Sequence, residues 1–241
     1  MAFGTLYLIP APLGEGELDW ILPVGVQQRI NLLERFIVEH PKTARHFLKQ
    51  VNPLRAVQVL KLEVLNEHTP ANEIEALLAP LLAGEDVGLL SEAGCPAVAD
   101  PGGVLVRRAH RKHIRVVPLV GPSAILLALM ASGLNGQRFR FHGYLPIDLA
   151  ERAKKIAQLE KTSLAADETQ IFIETPYRNQ KLLEALVQQC HVKTSLCVAC
   201  NLTQADELVL TRTVHEWQQG NWPELHKKPT VFLLYAQRQA Q

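Results

Sequence analysis

Short, apolar, β-rich runs alternate along this chain with longer stretches of helical periodicity, and this alternation constrains the fold more than any other feature. Strands that run in the same direction within a sheet need a crossover between them, and a crossover helix must lay an apolar stripe on the sheet. The runs are Leu6 to Ile9, Lys61 to Leu65, Val87 to Leu90, Ile114 to Leu119, Phe139 to His142, Gln170 to Glu174, Ser195 to Ala199, Leu208 to Thr213 and Val231 to Tyr235. Several are apolar throughout, as strands covered on both faces should be. Between them, Ile74, Leu77, Leu78, Leu81 and Leu82 fall on one side of a helix, as do Leu182, Leu183, Leu186 and Val187. The expected fold class is α/β, with a mostly parallel sheet in the first half and flanking helices.

The second half reads differently. The last three runs follow one another too closely for a helical crossover at every step, which predicts a mixed sheet. A domain boundary is expected near Val120, giving an N-terminal domain of residues 1–120 and a C-terminal domain of residues 121–241. Just past the boundary, Pro122 opens a helix over Ser123 to Met130 that is apolar all round and expected to be buried, with Gly133 at its end. The segment Lys161 to Thr169 reads as a mobile loop.

Charge is balanced, 25 Lys and Arg against 24 Asp and Glu, so no global field draws the chain to a polyanion. Any contact with RNA has to be local. No apolar stretch approaches the roughly 20 residues of a membrane span, and the start of the chain lacks the basic segment of an export signal. Four scattered cysteines do not make a disulfide framework, which points to reduced thiols and the cytoplasm.

Backbone punctuation is densest at Ser91-Glu92-Ala93-Gly94-Cys95-Pro96-Ala97-Val98-Ala99-Asp100-Pro101-Gly102-Gly103, directly after the Val87 to Leu90 strand. Loops at the carboxyl ends of strands are where α/β sheets bind ligands, and small residues there let a ligand approach the main chain. The competing reading is an ordinary loop in which Asp100 or Gly102 starts the next helix. Two further loops, Pro10 to Gly16 and Pro118 to Ala124, also close strands. None of the three carries the dinucleotide or phosphate-binding glycine fingerprint, so a ligand without phosphates is favoured. Cys197 and Cys200 are spaced like a zinc or redox pair but lie within one strand, where residues three apart face opposite ways. No metal is expected.

The three loops resemble those of the tetrapyrrole methylase family of S-adenosylmethionine-dependent methyltransferases, in the branch that methylates a cytidine ribose hydroxyl of small-subunit ribosomal RNA. The resemblance rests on Leu6 to Gly14, Ser91 to Gly102 and Val116 to Ala124, and continues through Ser132-Gly133-Leu134, Phe139 to Pro146 and Phe172 to Arg178. It implies two α/β halves enclosing S-adenosyl-L-methionine between them, usually in a homodimer. It also implies cofactor contacts at Leu13, Glu92, Cys95, Ser123, Ala124, Thr175, Leu202 and Thr230. The departures fall mostly on charged positions. Glu15 replaces an asparagine, Glu92 an aspartate, and Cys200, Asn201 and Gln204 replace an arginine, a glutamate and a lysine. The family's longer members also carry a helical extension after the position of Tyr235.

Methyl transfer by in-line displacement asks mainly for positioning, and a hydroxyl acceptor also needs a base. Glu39, His40, Glu92 and Glu174 are the candidates, with Glu39 and Glu92 preferred. Arg107, Arg108, Arg111, Lys112, Lys154 and Lys155 offer phosphate contacts to ribosomal RNA or the small ribosomal subunit, and Tyr144 and Tyr177 offer stacking surfaces. Two other functions fit the same residues: methylation of a tetrapyrrole or other small metabolite, and binding of the methyl donor without turnover.

Overall fold

The computed structural model describes residues 2–237. Contacts divide the chain into two compact units, with the division between Ser123 and Ala124.

The first unit contains β1 (Thr5–Ile9), α1 (Leu18–Ile21), α2 (Val24–Asn31), β2 (Arg35–Val38), α3 (Pro41–Val51), β3 (Lys61–Val64), α4 (Ala71–Ala76), α5 (Ala79–Leu82), β4 (Val87–Leu90), α6 (Gly102–Arg111) and β5 (Arg115–Pro118). Its five strands form one sheet in the order β3-β2-β4-β1-β5, and every pairing is parallel. Helices cover both faces. Ile9, Ile30, Phe36 and Leu48 fill the core on one side, and Leu6, Ile37, Leu78 and Leu105 that on the other. The central strand β4 is buried at all four positions. Burying a leucine or phenylalanine contributes roughly 1.5–3 kcal/mol, so each face is held by a dozen such contributions.

The second unit contains α7 (Ala124–Ser132), β6 (Phe139–Tyr144), α8 (Leu149–Ala166), β7 (Thr169–Ile173), α9 (Asn179–Gln189), β8 (Ser195–Cys200), β9 (Leu208–Thr213), α10 (Val214–Gln219) and β10 (Thr230–Tyr235). Its sheet runs β6-β7-β10-β8-β9 and is mixed: β6 and β7 are parallel, whereas β10 is antiparallel to both β7 and β8. Trp217 is fully buried beneath it and donates its ring N–H to the Leu196 carbonyl at 2.9 Å.

Four sequence expectations are corrected. Strand β2 was not foreseen, because its apolar run is only Phe36 to Val38, hemmed by Glu34-Arg35 and Glu39, yet it sits between β4 and β3. The stripe from Ile74 to Leu82 is not one helix but α4 and α5, parted at Leu77 and Leu78 ahead of Pro80. Helix α7 is not buried all round: Ala128 and Leu129 face inward, while Leu126 and Met130 are 51% and 78% exposed. The expected mobile loop over Lys161 to Thr169 is the last two turns of α8 and the start of β7. Ile156, Leu159 and Ser163 bury that helix face, and Asp167 ends it in the left-handed conformation (φ 54°). The polar composition that suggested a loop is the solvated side of the helix.

Candidate active site

Parallel pairing brings the carboxyl ends of β1, β4 and β5 side by side, so the three loops that follow them meet. Ala11 and Gly94 exchange both backbone hydrogen bonds, each 2.9 Å, stitching the first loop to the second. Gly94 has φ 73°, and a Cβ there would stand 3.3 Å from Leu13 Cδ2. Gly121 of the third loop packs on Pro10 so closely that a Cβ would lie 2.4 Å from the proline Cβ. The Cys95 thiol, raised in pKa by burial, donates to the Pro122 carbonyl at 3.4 Å. Leu13, Glu92, Cys95 and Ser123 therefore all belong to one end of the first unit.

Carboxylates rim this end. The Glu92 amide donates to Glu39 Oε1 at 3.3 Å, and the Thr43 hydroxyl is 2.7 Å from Glu92 Oε1 and 2.9 Å from the His40 carbonyl. Burial raises the Glu39 pKa above its usual value; the Glu92 amide opposes that shift, and the charges of Asp100 and Glu92 add to it. Asp100 takes the Ala97 amide on both oxygens (2.8 and 2.9 Å) and the Gly102 amide on Oδ1 (2.7 Å). Its pKa is also raised, burial outweighing these bonds. Gly102 is the first residue of α6, and Asp100, accepting its amide, locks the preceding loop, in which Ala97 and Ala99 are left-handed (φ 66° and 61°). The three loops contain no Lys or Arg. Such a rim suits a cationic ligand and repels a phosphate.

The second unit has its own strand-end cluster. Thr175 follows β7, Leu202 follows β8 and Thr230 opens β10, and the register of β10 with both neighbours places them at one end of that sheet. Glu174, its side chain fully buried, accepts from the Thr175 amide and from Arg178 Nη2, both at 2.6 Å. That pairing raises the Arg178 pKa. Glu174 Oε2, Arg178 Nε, Asn179 Oδ1 and Thr203 Oγ1 are buried here without a hydrogen-bond partner. Buried groups of this kind are costly unless a ligand completes them. Ala124 begins the second unit.

The departures at Cys200 and Asn201 have structural roles. Cys200 packs in the hydrophobic core. Asn201 takes the left-handed conformation (φ 49°), which asparagine tolerates better than most residues, and donates to Asp206 at 2.8 Å. Cys197 and Cys200 are both buried on the same strand, with Cys197 raised to about 11. Among the described residues no group of three or more His, Cys, Asp and Glu is arranged to hold a metal ion, and no helix is long and apolar enough to cross a membrane. Sequence reasoning missed Thr43, Arg178 and Asn179. Thr43 meets Glu92 across 49 residues of chain, a proximity created by β2 lying against β4, which no local signal encodes.

A family model described as Tetrapyrrole (Corrin/Porphyrin) Methylases matches residues 5–218. Ribosomal RNA small subunit methyltransferase I of Xylella fastidiosa is 32% identical over 237 residues, covering 97% of this chain and 81% of that protein. The protein of the same name from Mesorhizobium japonicum is 38% identical over 212 residues, covering 87% and 67%. Among solved structures, the methyltransferase CobJ superposes with a TM-score of 0.61 at 20% identity, covering 98% of this chain and 94% of that one, a likeness of fold. A parallel sheet followed by a mixed one, ligand-sized loops at the strand ends, and a family match over most of the chain agree: this chain belongs to the tetrapyrrole methylase family and is a methyltransferase.

Proposed function

We propose that this protein transfers a methyl group from S-adenosyl-L-methionine to small-subunit ribosomal RNA, at the ribose hydroxyl of a cytidine. The observation that carries the donor assignment is the pair Glu92 and Asp100 on loops without a single Lys or Arg, with the Glu39 carboxylate beside them. The donor has a sulfonium and an ammonium against a single carboxylate, a net positive charge, and no phosphate, so the residues present fit it. Leu13, Glu92, Cys95, Ser123 and Ala124, with Thr175, Leu202 and Thr230, would hold it, and when bound it supplies an electrophilic methyl carbon. The acceptor assignment is supported by the relatives, which carry the name ribosomal RNA small subunit methyltransferase I.

A ribose hydroxyl must lose its proton as it attacks. Glu39 is the proposed base: burial makes its carboxylate more basic than usual, and the Glu92 amide holds it. Thr43 steadies Glu92 in turn. The same reading has the chain working in the cytoplasm and as a homodimer, the second of which sedimentation of the purified protein tests.

The deciding experiment incubates the protein and radiolabelled donor with RNA from a strain lacking this gene. Label confined to small-subunit RNA supports the proposal. Label in a small tetrapyrrole or other metabolite fraction replaces the acceptor, and donor binding with no labelled product replaces turnover by binding alone.

A further inference from the structure

The segment Arg107 to Arg115 holds five of the chain's 25 Lys and Arg in nine residues (Arg107, Arg108, Arg111, Lys112 and Arg115), together with His110 and His113 and no carboxylate. Helix α6 buries Leu105 and Ala109 and turns Arg107, His110 and Arg111 to solvent; His113 beyond it is exposed as well, whereas Arg115 lies on the other face of the sheet, lining a cavity with Tyr7, Val26 and Arg29. A helix C-terminus carries about half a negative charge, which one cation satisfies and five exceed.

Two of the five are fixed in place. Glu75 of α4 pairs with Lys112 at 2.7 Å and with Arg108 at 3.6 Å, and Arg108 also donates to the Ala71 carbonyl. Glu75 is held below the usual carboxylate range by Lys112 first and Arg108 second, so it stays ionised and oriented. These three residues and Arg111 line a shallow cavity of ≈ 440 Å³ with a net excess of two positive charges.

Because α6 starts directly after the Asp100 loop and runs back along the sheet, its ten residues carry this cluster about 15 Å from the loop end. That distance is too great for contact with a reacting nucleotide and suits a flanking one. We propose that the C-terminal end of α6, with Arg107 and Arg111 at its surface and the Arg108–Glu75–Lys112 group beside them, is a docking surface for the phosphate backbone of the acceptor RNA. The inference rests on the RNA reading above and adds where the chain grips that RNA.

Filter binding of the full chain to small-subunit RNA from the strain lacking the gene, across a salt series, tests it. The double variant Arg107→Gln, Arg111→Gln removes two exposed cations and none of the fixed ones. It is expected to bind about 10-fold more weakly at moderate salt, with a salt slope shallower by roughly 1.5, since each lost phosphate contact removes about 0.7 to 0.9 from the slope. The double Arg→Lys variant keeps the charge and should retain the wild-type slope. Calorimetric affinity for S-adenosylmethionine should be the same in all three proteins. If wild-type protein binds the RNA and the Gln variant binds it equally with an unchanged slope, the docking surface is overturned and the RNA reading stands. If wild-type protein shows no salt-sensitive RNA binding, the RNA reading falls and the docking surface with it.

Discussion

The backbone amide of Glu92 points at the carboxylate of Glu39 from 3.3 Å, linking the loop after β4 to the segment after β2 across 53 residues of sequence. The bond holds a half-buried acid beside two others, Asp100 and Glu92, whose charges disfavour its ionisation. As the proposed base, Glu39 predicts that Glu39→Gln lowers kcat by roughly 100-fold or more, a loss that exceeds any weakening of donor binding from removing one of the carboxylates beside the loops. The acidic limb of the pH–rate profile should disappear with it.

The same residue makes a separate prediction about stability. Its folded pKa lies above the ordinary value of 4.5, so the native state binds this proton more tightly than the unfolded chain does. The contribution favours folding at low pH and is lost as pH rises through the folded value. Glu39→Gln should therefore gain stability over wild type at pH 8, and the gain should vanish below about pH 4.5. Urea midpoints measured across that range would show it; a gain independent of pH would contradict the burial argument.

Gly121→Ala would set a methyl group 2.4 Å from Pro10 Cβ and 2.6 Å from its Cγ, contacts that neither rigid loop can yield. Overpacking of this kind costs about 1–3 kcal/mol. A lower melting temperature and weaker donor binding are expected together, whereas Gly133→Ala, which meets nothing within 4 Å but sits at φ 69°, should affect stability alone.

Arg178→Ala would leave the Glu174 carboxylate, with none of its side chain exposed, facing an empty position. Breaking a buried pair from one side typically costs about 3–5 kcal/mol. Arg178 is itself a third exposed, so the lower end is expected, and adding Glu174→Gln should recover part of the loss in a double-mutant cycle. Strict additivity of the two changes would show that the pair is not coupled.

Tyr177 is 68% exposed and is held edge-on to His226, ring centroids 5.8 Å apart. It immediately precedes the anchored Arg178 and lies two residues beyond Thr175, so it offers a fixed aromatic face at the strand-end cluster of the second unit. Stacking a base on such a ring is worth about 1–3 kcal/mol. Tyr177→Ala should weaken binding to unpaired small-subunit RNA about tenfold with no change in the melting curve.

Much of this architecture could be read from local pattern. Val87 to Leu90 and Leu208 to Thr213 stand where their residues predict, because a run of buried or alternating side chains fixes a strand without outside help. The loop from Ser91 to Gly103 was conspicuous through its glycines and prolines. What joins Glu39, Thr43, Glu92 and Asp100 was not, since it depends on β2 lying against β4 rather than on any spacing along the chain. The exposed side of α7 escaped notice for a similar reason: Leu126 and Met130 look no different in sequence from Ala128 and Leu129.

The outermost strands of the first sheet also bear on solubility. One border, β3, begins with Lys61 and carries Glu63; the other, β5, begins with Arg115 and ends in Pro118, which has no N–H to offer. A stray chain trying to extend the ladder meets charge on one flank and a missing donor on the other. A newly made copy is thereby guarded against sticking to its siblings through open strand edges, even though the sheet between those borders is almost wholly apolar.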